Sequence, residues 1–199
     1  ITEASSGTVI IVFNIIILRL QGNIGVAAYG VIANLSLVII SIYTGIAQGI
    51  QPLLSSNYGA NNCTNVRWIL RYALTSMLII SGIVYSVVFF GASQIADIFN
   101  SEQNMLLQSI AVTGLKTYFT GCVFAGFNII ISVYFTSTEY ARPAHIISLL
   151  RGFLIIIPMA FLLSSISGMT GVWCVFPTTE LIVTGIGCAL YLLSPKRTL

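Results

Sequence analysis

Charge is what this sequence lacks. Its 199 residues include eight Lys or Arg and five Asp or Glu, 7% of the chain, where a soluble domain of this size at ~25% charged would carry about 50. That scarcity excludes a water-facing globular surface. With 57% hydrophobic residues and a mean hydropathy of +0.98, the apolar side chains must face lipid hydrocarbon instead.

Other absences narrow the function. No Lys/Arg run occurs outside Lys196-Arg197, and the net charge is only +3, which excludes nucleic acid as a partner. Cys63, Cys122, Cys174 and Cys188 show no CxxC spacing and lie mostly inside apolar runs. They read as small buried hydrophobes, not as a disulfide framework or a metal site. His145 is the one histidine, so no metal centre is expected. There is no nucleophile elbow, HExxH motif or Walker loop, and neither covalent catalysis nor a cofactor is expected. The chain opens at Ile1, directly into a helical stretch with Glu3, and reads as a cut through a longer polypeptide.

What is present is a series of uncharged runs: between Arg19 and Arg67, Arg71 and Asp97, Lys116 and Glu139, and Arg151 and Glu180. Each can hold about 20 apolar residues, and the first can hold more than one such span. Turn signals divide the chain into six expected transmembrane helices, roughly 1–20, 26–54, 68–91, 104–136, 143–165 and 169–193. The breaks fall at Gln21-Gly22-Asn23, 57–62, 96–102, 137–143 and 164–168. Open sheets cannot satisfy their backbone in lipid, and the runs lack barrel alternation, so the fold class is all-α. If the loop after span two is cytoplasmic, Arg67, Arg71, Arg142, Arg151, Lys196 and Arg197 lie inside, and both ends of the bundle are cytoplasmic.

Polar residues at membrane depth mark where function would reside. Glu180 falls about 20 Å from the inner end of span six, where an isolated charge costs ~3 kcal/mol or more. It must pair, face water or stay protonated, which makes it either a proton or cation site or a neutral structural group. Pro177, three residues earlier, removes a helical hydrogen bond, a break tolerated where it is buried in protein or lines a wet cavity. Arg151 and Lys116 are the possible counter-charges; snorkelling to the headgroups is the competing reading for each. In span two, Asn34, Ser41, Gln48 and Ser55 recur at seven-residue spacing with Gln51 and Pro52 nearby. That stripe packs against a helix or lines an aqueous cavity. Asn14 and Asn128 are amides expected to hydrogen-bond to neighbouring helices.

The segment Gly25-Val26-Ala27-Ala28-Tyr29-Gly30-Val31-Ile32-Ala33-Asn34, with Gly45-Ile46-Ala47-Gln48-Gly49-Ile50-Gln51-Pro52-Leu53-Leu54-Ser55 and Asn57-Tyr58-Gly59-Ala60, resembles the multidrug and toxic compound extrusion family. It is similar to the eighth of that family's twelve helices. Glu3-Ala4-Ser5-Ser6-Gly7 through Asn14, Tyr118 through Asn128, and Gly171-Val172-Trp173 through Glu180 extend the resemblance over essentially all 199 residues. The resemblance implies that residues 1–199 form the C-terminal six-helix lobe of a two-lobed antiporter, the N-terminal lobe being missing. It further implies a bacterial inner membrane and export of lipophilic or cationic compounds, driven by H⁺ or Na⁺ as the coupling ion. Glu3, Asn14, Tyr118, Asn128 and Glu180 match polar positions that serve cation coupling. Some members carry an acid in the tenth helix, but Thr120-Gly121-Cys122-Val123-Phe124 has none. Coupling would then fall to Glu3, Glu180 or the missing lobe, with bending at Pro52 and Pro177 as a gating motion. The alternatives are a lipid-linked saccharide flippase of similar architecture and a structural membrane subunit.

Overall fold

The computed structural model describes residues 2–193, with side chains from Gly7 onward. These residues form α1 (Thr2–Gly59), α2 (Cys63–Phe90), α3 (Ala92–Phe99), α4 (Met105–Tyr118), α5 (Cys122–Ser137), α6 (Ala141–Leu149) and α7 (Ile156–Leu193). A 3₁₀ turn at Phe119–Gly121 joins α4 to α5, and a π turn at Leu150–Leu154 joins α6 to α7.

Two apolar stretches are too long for a single crossing. Gly7–Gly59 and Ala141–Leu193 each contain 53 residues, about 80 Å if straight, against a hydrocarbon core of ~30 Å. Each is broken at a glycine: Gly22 has φ 62° and ψ −154°, and Gly168 has φ 56° and ψ −132°. A Cβ disfavours these angles, and glycine supplies them freely. The chain doubles back at both. Phe13 stacks on Tyr29 with ring centroids 5.5 Å apart, and Arg151 reaches Glu180 at 2.6 Å. Straight helices would hold those pairs roughly 24 and 44 Å apart. α1 is therefore two antiparallel arms, α1a (2–21) and α1b (23–59), and α7 is likewise α7a (156–167) and α7b (169–193). With α2, the α4–α5 pair and the α6–α7a pair, the chain forms six long segments.

Boundaries differ from expectation in informative ways. α1b runs on to Gly59, past the expected end at 54, and is closed only where Asn61 takes a left-handed φ of 56° and the Asn62 N–H donates to the Asn57 carbonyl at 2.9 Å. α2 starts at Cys63 rather than 68, since the Asn62 side chain caps it by accepting from the Asn65 N–H. The stretch expected as an outer loop at 96–102 holds the end of α3, whose buried Ala92 and Ala96 sit one turn apart on one face. Span four is interrupted at Phe119–Gly121, and span five begins at Ala141, with Pro143 tolerated in its first turn.

The core is an aromatic ladder across helices. Tyr29 of α1b lies between Phe13 of α1a and Trp173 of α7b, the latter 6.4 Å away. Tyr118 of α4 stacks nearly parallel on Phe176 at 4.4 Å. On the far side, Tyr43 of α1b shares a buried 2.8 Å hydrogen bond with Ser81 of α2. The outer faces are apolar: Ile79, Ile83, Val87 and Phe90 run along α2 exposed, a pattern suited to lipid and not to water.

Candidate functional site

Glu180 lies on α7b and is only 3% exposed. Arg151 donates to its Oε1 twice, from Nη2 at 2.6 Å and from Nε at 3.1 Å. Asn128 of α5 donates from Nδ2 to Oε2 at 2.6 Å and to the Glu180 main-chain carbonyl at 3.0 Å. The Asn128 Oδ1 accepts from Thr184 Oγ1 at 3.2 Å. Both carboxylate oxygens are thus satisfied, one by a cation and one by an amide, and three separate helical segments meet at one carboxyl group.

The local sequence explains how the cation arrives. Arg151 sits inside the π turn, closed by Ile155 N–H donating to the Leu150 carbonyl at 2.9 Å. A π turn takes an extra residue, so it rotates the side chains on one side of it relative to those on the other. Among the described residues, the Arg151–Glu180 contact is the one ion pair. Burying either charge alone would cost several kcal/mol, and close pairing with full hydrogen bonding offsets that cost. Snorkelling is therefore the wrong reading of Arg151.

Lys116 is not a counter-charge to Glu180. Its Nζ lies 5.1 Å from the Phe89 ring centroid, and its carbonyl accepts from the Tyr85 hydroxyl at 3.5 Å. Both contacts place it on the α2 side of α4, away from α7b. Among the residues implied in coupling, Glu180 and Asn128 are joined directly. Tyr118 packs on Phe176, one turn before Glu180, without a direct hydrogen bond to the cluster. Asn14 is half-buried on α1a and outside the cluster. The Glu3 side chain lies outside the described residues. Thr184 was not anticipated, although it follows Glu180 by four residues and so shares its helix face.

The stripe on α1b is exposed throughout: Asn34, Ser41, Gln48 and Gln51 face away from the bundle, opposite buried Tyr43. The Ser41 hydroxyl donates to its own helix, to the Leu37 carbonyl at 2.8 Å. Packing within this lobe does not account for the stripe. Pro52 is exposed and Pro177 half-buried, and both keep helical dihedrals. The non-helical angles in the long helices fall at Gly22 and Gly168, not at the prolines. Cys63, Cys122, Cys174 and Cys188 are free thiols.

Comparison with known proteins gives a consistent result. The MatE family model matches residues 3–162. The chain is 26% identical over 155 residues to the multidrug export protein MepA of Staphylococcus haemolyticus, covering 78% of this chain and 33% of that protein. Among solved structures, the inward-facing conformation of a multidrug resistance MATE family transporter of the MOP superfamily superposes with a TM-score of 0.87 at 19% identity, over 97% of this chain and 46% of that one. Its outward-facing counterpart gives 0.86 at 18% identity, over 94% and 42%. The chain spans less than half the length of these relatives. Because the family match runs over most of its residues, the protein belongs to the MatE family, the multidrug and toxic compound extrusion transporters.

Proposed function

We propose that the chain is the C-terminal lobe of a secondary antiporter that exports lipophilic or cationic compounds in exchange for H⁺ or Na⁺ by alternating access. The orientation we favour puts both lobe ends in the cytoplasm of a bacterium, with the second lobe completing a cavity against the Asn34, Ser41, Gln48 and Gln51 stripe. The observation that carries this reading is the buried Glu180, held by Arg151 and Asn128 from two other segments. Protonation of Glu180 would discharge the carboxylate, weaken the Arg151 contact and leave the guanidinium short of a partner. That couples proton occupancy to how tightly α7b is tied to the π turn. The Arg151 guanidinium seated on the carboxylate competes with H⁺ and Na⁺ alike, so occupancy of Glu180 by either coupling ion requires the Arg151 contact to open. Glu3 is the second candidate for coupling.

The flippase alternative needs cavity cations for phosphate, and Arg151 is engaged with Glu180 while Lys116 lies against Phe89. The deciding experiment is full-length protein in proteoliposomes with an imposed H⁺ or Na⁺ gradient and a fluorescent cationic dye. Glu180→Gln is expected to reduce gradient-driven export to background. If Glu180→Gln and Glu3→Gln both export at the wild-type rate, the coupling assignment is wrong.

A further inference from the structure

A groove formed by α2, α5 and α7b carries chemistry that the transport reading does not use. Arg67, Leu70, Arg71 and Leu74 of α2 form one wall, Ile131 of α5 lies on the floor, and Leu192 of α7b stands opposite, around a cavity of about 560 Å³. α5 packs on both α2 and α7, so it closes the bottom of the trough. Arg67 and Arg71 are one helical turn apart and exposed. Among the described residues, neither has a carboxylate within ion-pair distance. The Arg71 guanidinium lies 5.4 Å from the Trp68 ring centroid, and Trp68 stacks on Tyr72 at 5.9 Å. Amphipathic aromatic rings of this kind sit at headgroup level in membranes.

Arg67 and Arg71 stand roughly 6 and 12 Å along the axis from the first residue of α2, within reach of the headgroup layer. Two cations therefore sit without anions at the mouth of an apolar trough in a membrane protein. A free hydrated anion leaves most of the trough unfilled, because beyond the two arginines the lining is mainly apolar, with Phe127, Cys188 and Tyr191 beside the leucines and Ile131. A zwitterionic lipid fills the trough but brings its own cation to the arginines. An anionic phospholipid satisfies both halves: guanidinium groups pair bidentately with phosphate oxygens, and an acyl chain covers the half-buried Leu74 and Phe127 and the exposed Leu192. Basic pockets between transmembrane helices recognise lipid headgroups on these terms.

We propose that this groove binds an anionic phospholipid, with its phosphodiester between Arg67 and Arg71 and one acyl chain along the trough. The test uses full-length protein in detergent with equimolar phosphatidylglycerol and phosphatidylcholine of matched chains, read by native mass spectrometry. Phosphatidylglycerol adducts should exceed phosphatidylcholine adducts by about fivefold, and R67Q/R71Q should erase that preference. R142Q, which alters an exposed arginine outside the groove, should keep it. Leu74→Trp, which fills the trough and spares both arginines, should also lose the bound lipid; it carries the test if the double variant does not fold. Equal binding of the two lipids by the wild type, or an unchanged preference in R67Q/R71Q, overturns the proposal. So does displacement of the lipid by millimolar inorganic phosphate, which would mark a simple anion site.

Discussion

At the scale of single residues, the Glu180 cluster behaves as a unit whose parts are unequal to remove. Arg151→Met leaves a buried carboxylate unpaired and should cost about 3–5 kcal/mol, seen as a clear fall in the thermal midpoint of the detergent-solubilised full-length protein. The double substitution Arg151→Met/Glu180→Gln removes both charges and should recover much of that midpoint while leaving dye export at background. A double variant no more stable than Arg151→Met would mean that the pair is not what holds these helices. Asn128→Leu removes one hydrogen bond to the carboxylate and one to a backbone carbonyl; it should destabilise by about 1–3 kcal/mol, as expected when a buried acceptor loses its donor. Glu180 was legible in the sequence because a carboxylate stands out inside an apolar run. The choice between Arg151 and Lys116 was not, because depth along a helix says nothing about which way a side chain points around it. That direction is fixed by the π turn before α7, and the four apolar or neutral neighbours of Arg151 in Leu150–Leu154 give no periodic signal for it.

At the scale of elements, the reversals at Gly22 and Gly168 and the close approach at Gly114 decide how the segments pack. Replacing Gly22 or Gly168 by valine forces a β-branched side chain into positive φ; each should lower stability by at least ~1–2 kcal/mol, measurable as a reduced yield of monodisperse protein. A Cβ at Gly114 would meet Ile32 and the Trp173 ring, its Cε2 at 2.8 Å. Gly114→Val should therefore cost about 1–3 kcal/mol through overpacking, read as a lower melting midpoint, with Gly82→Val at an open position on the exposed apolar face of α2 as the milder comparison. The long segments were legible because uncharged runs and glycine-containing breaks are strong signals. α3 was not, since eight residues with Asp97 and a following Asn-Ser-Glu look like a loop by composition. The side-chain network that steadies its end, in which Asn100 binds Asn104 and Gln108, and Gln108 reaches Asp97, appears only in three dimensions.

At the scale of the whole molecule, the exposed polar stripe and the exposed apolar faces divide the surface into two kinds of boundary. The apolar faces suit lipid, whereas the Asn34 to Gln51 stripe suits water or a second lobe. The family resemblance was legible because it rests on local glycine- and amide-containing motifs of α1b and not on overall identity. The destination of the stripe was not, since none of the described residues covers it. The orientation we favour is checked by membrane-impermeant maleimide on intact cells carrying single cysteines in full-length protein: Ser101→Cys should label from outside, and Asn61→Cys only after permeabilisation. The opposite pattern would invert the topology. The glycine reversals have a further consequence for anyone seeking a handle on the protein from outside the cell. In that orientation both α1 and α7 turn at the outer face within a single residue, so they offer an antibody almost no loop to grip. Among the described residues, the exposed Ser101, Glu102 and Gln103 beside α3 become the epitope on that face, held in place by the Asn100–Asn104 hydrogen bonds beneath them.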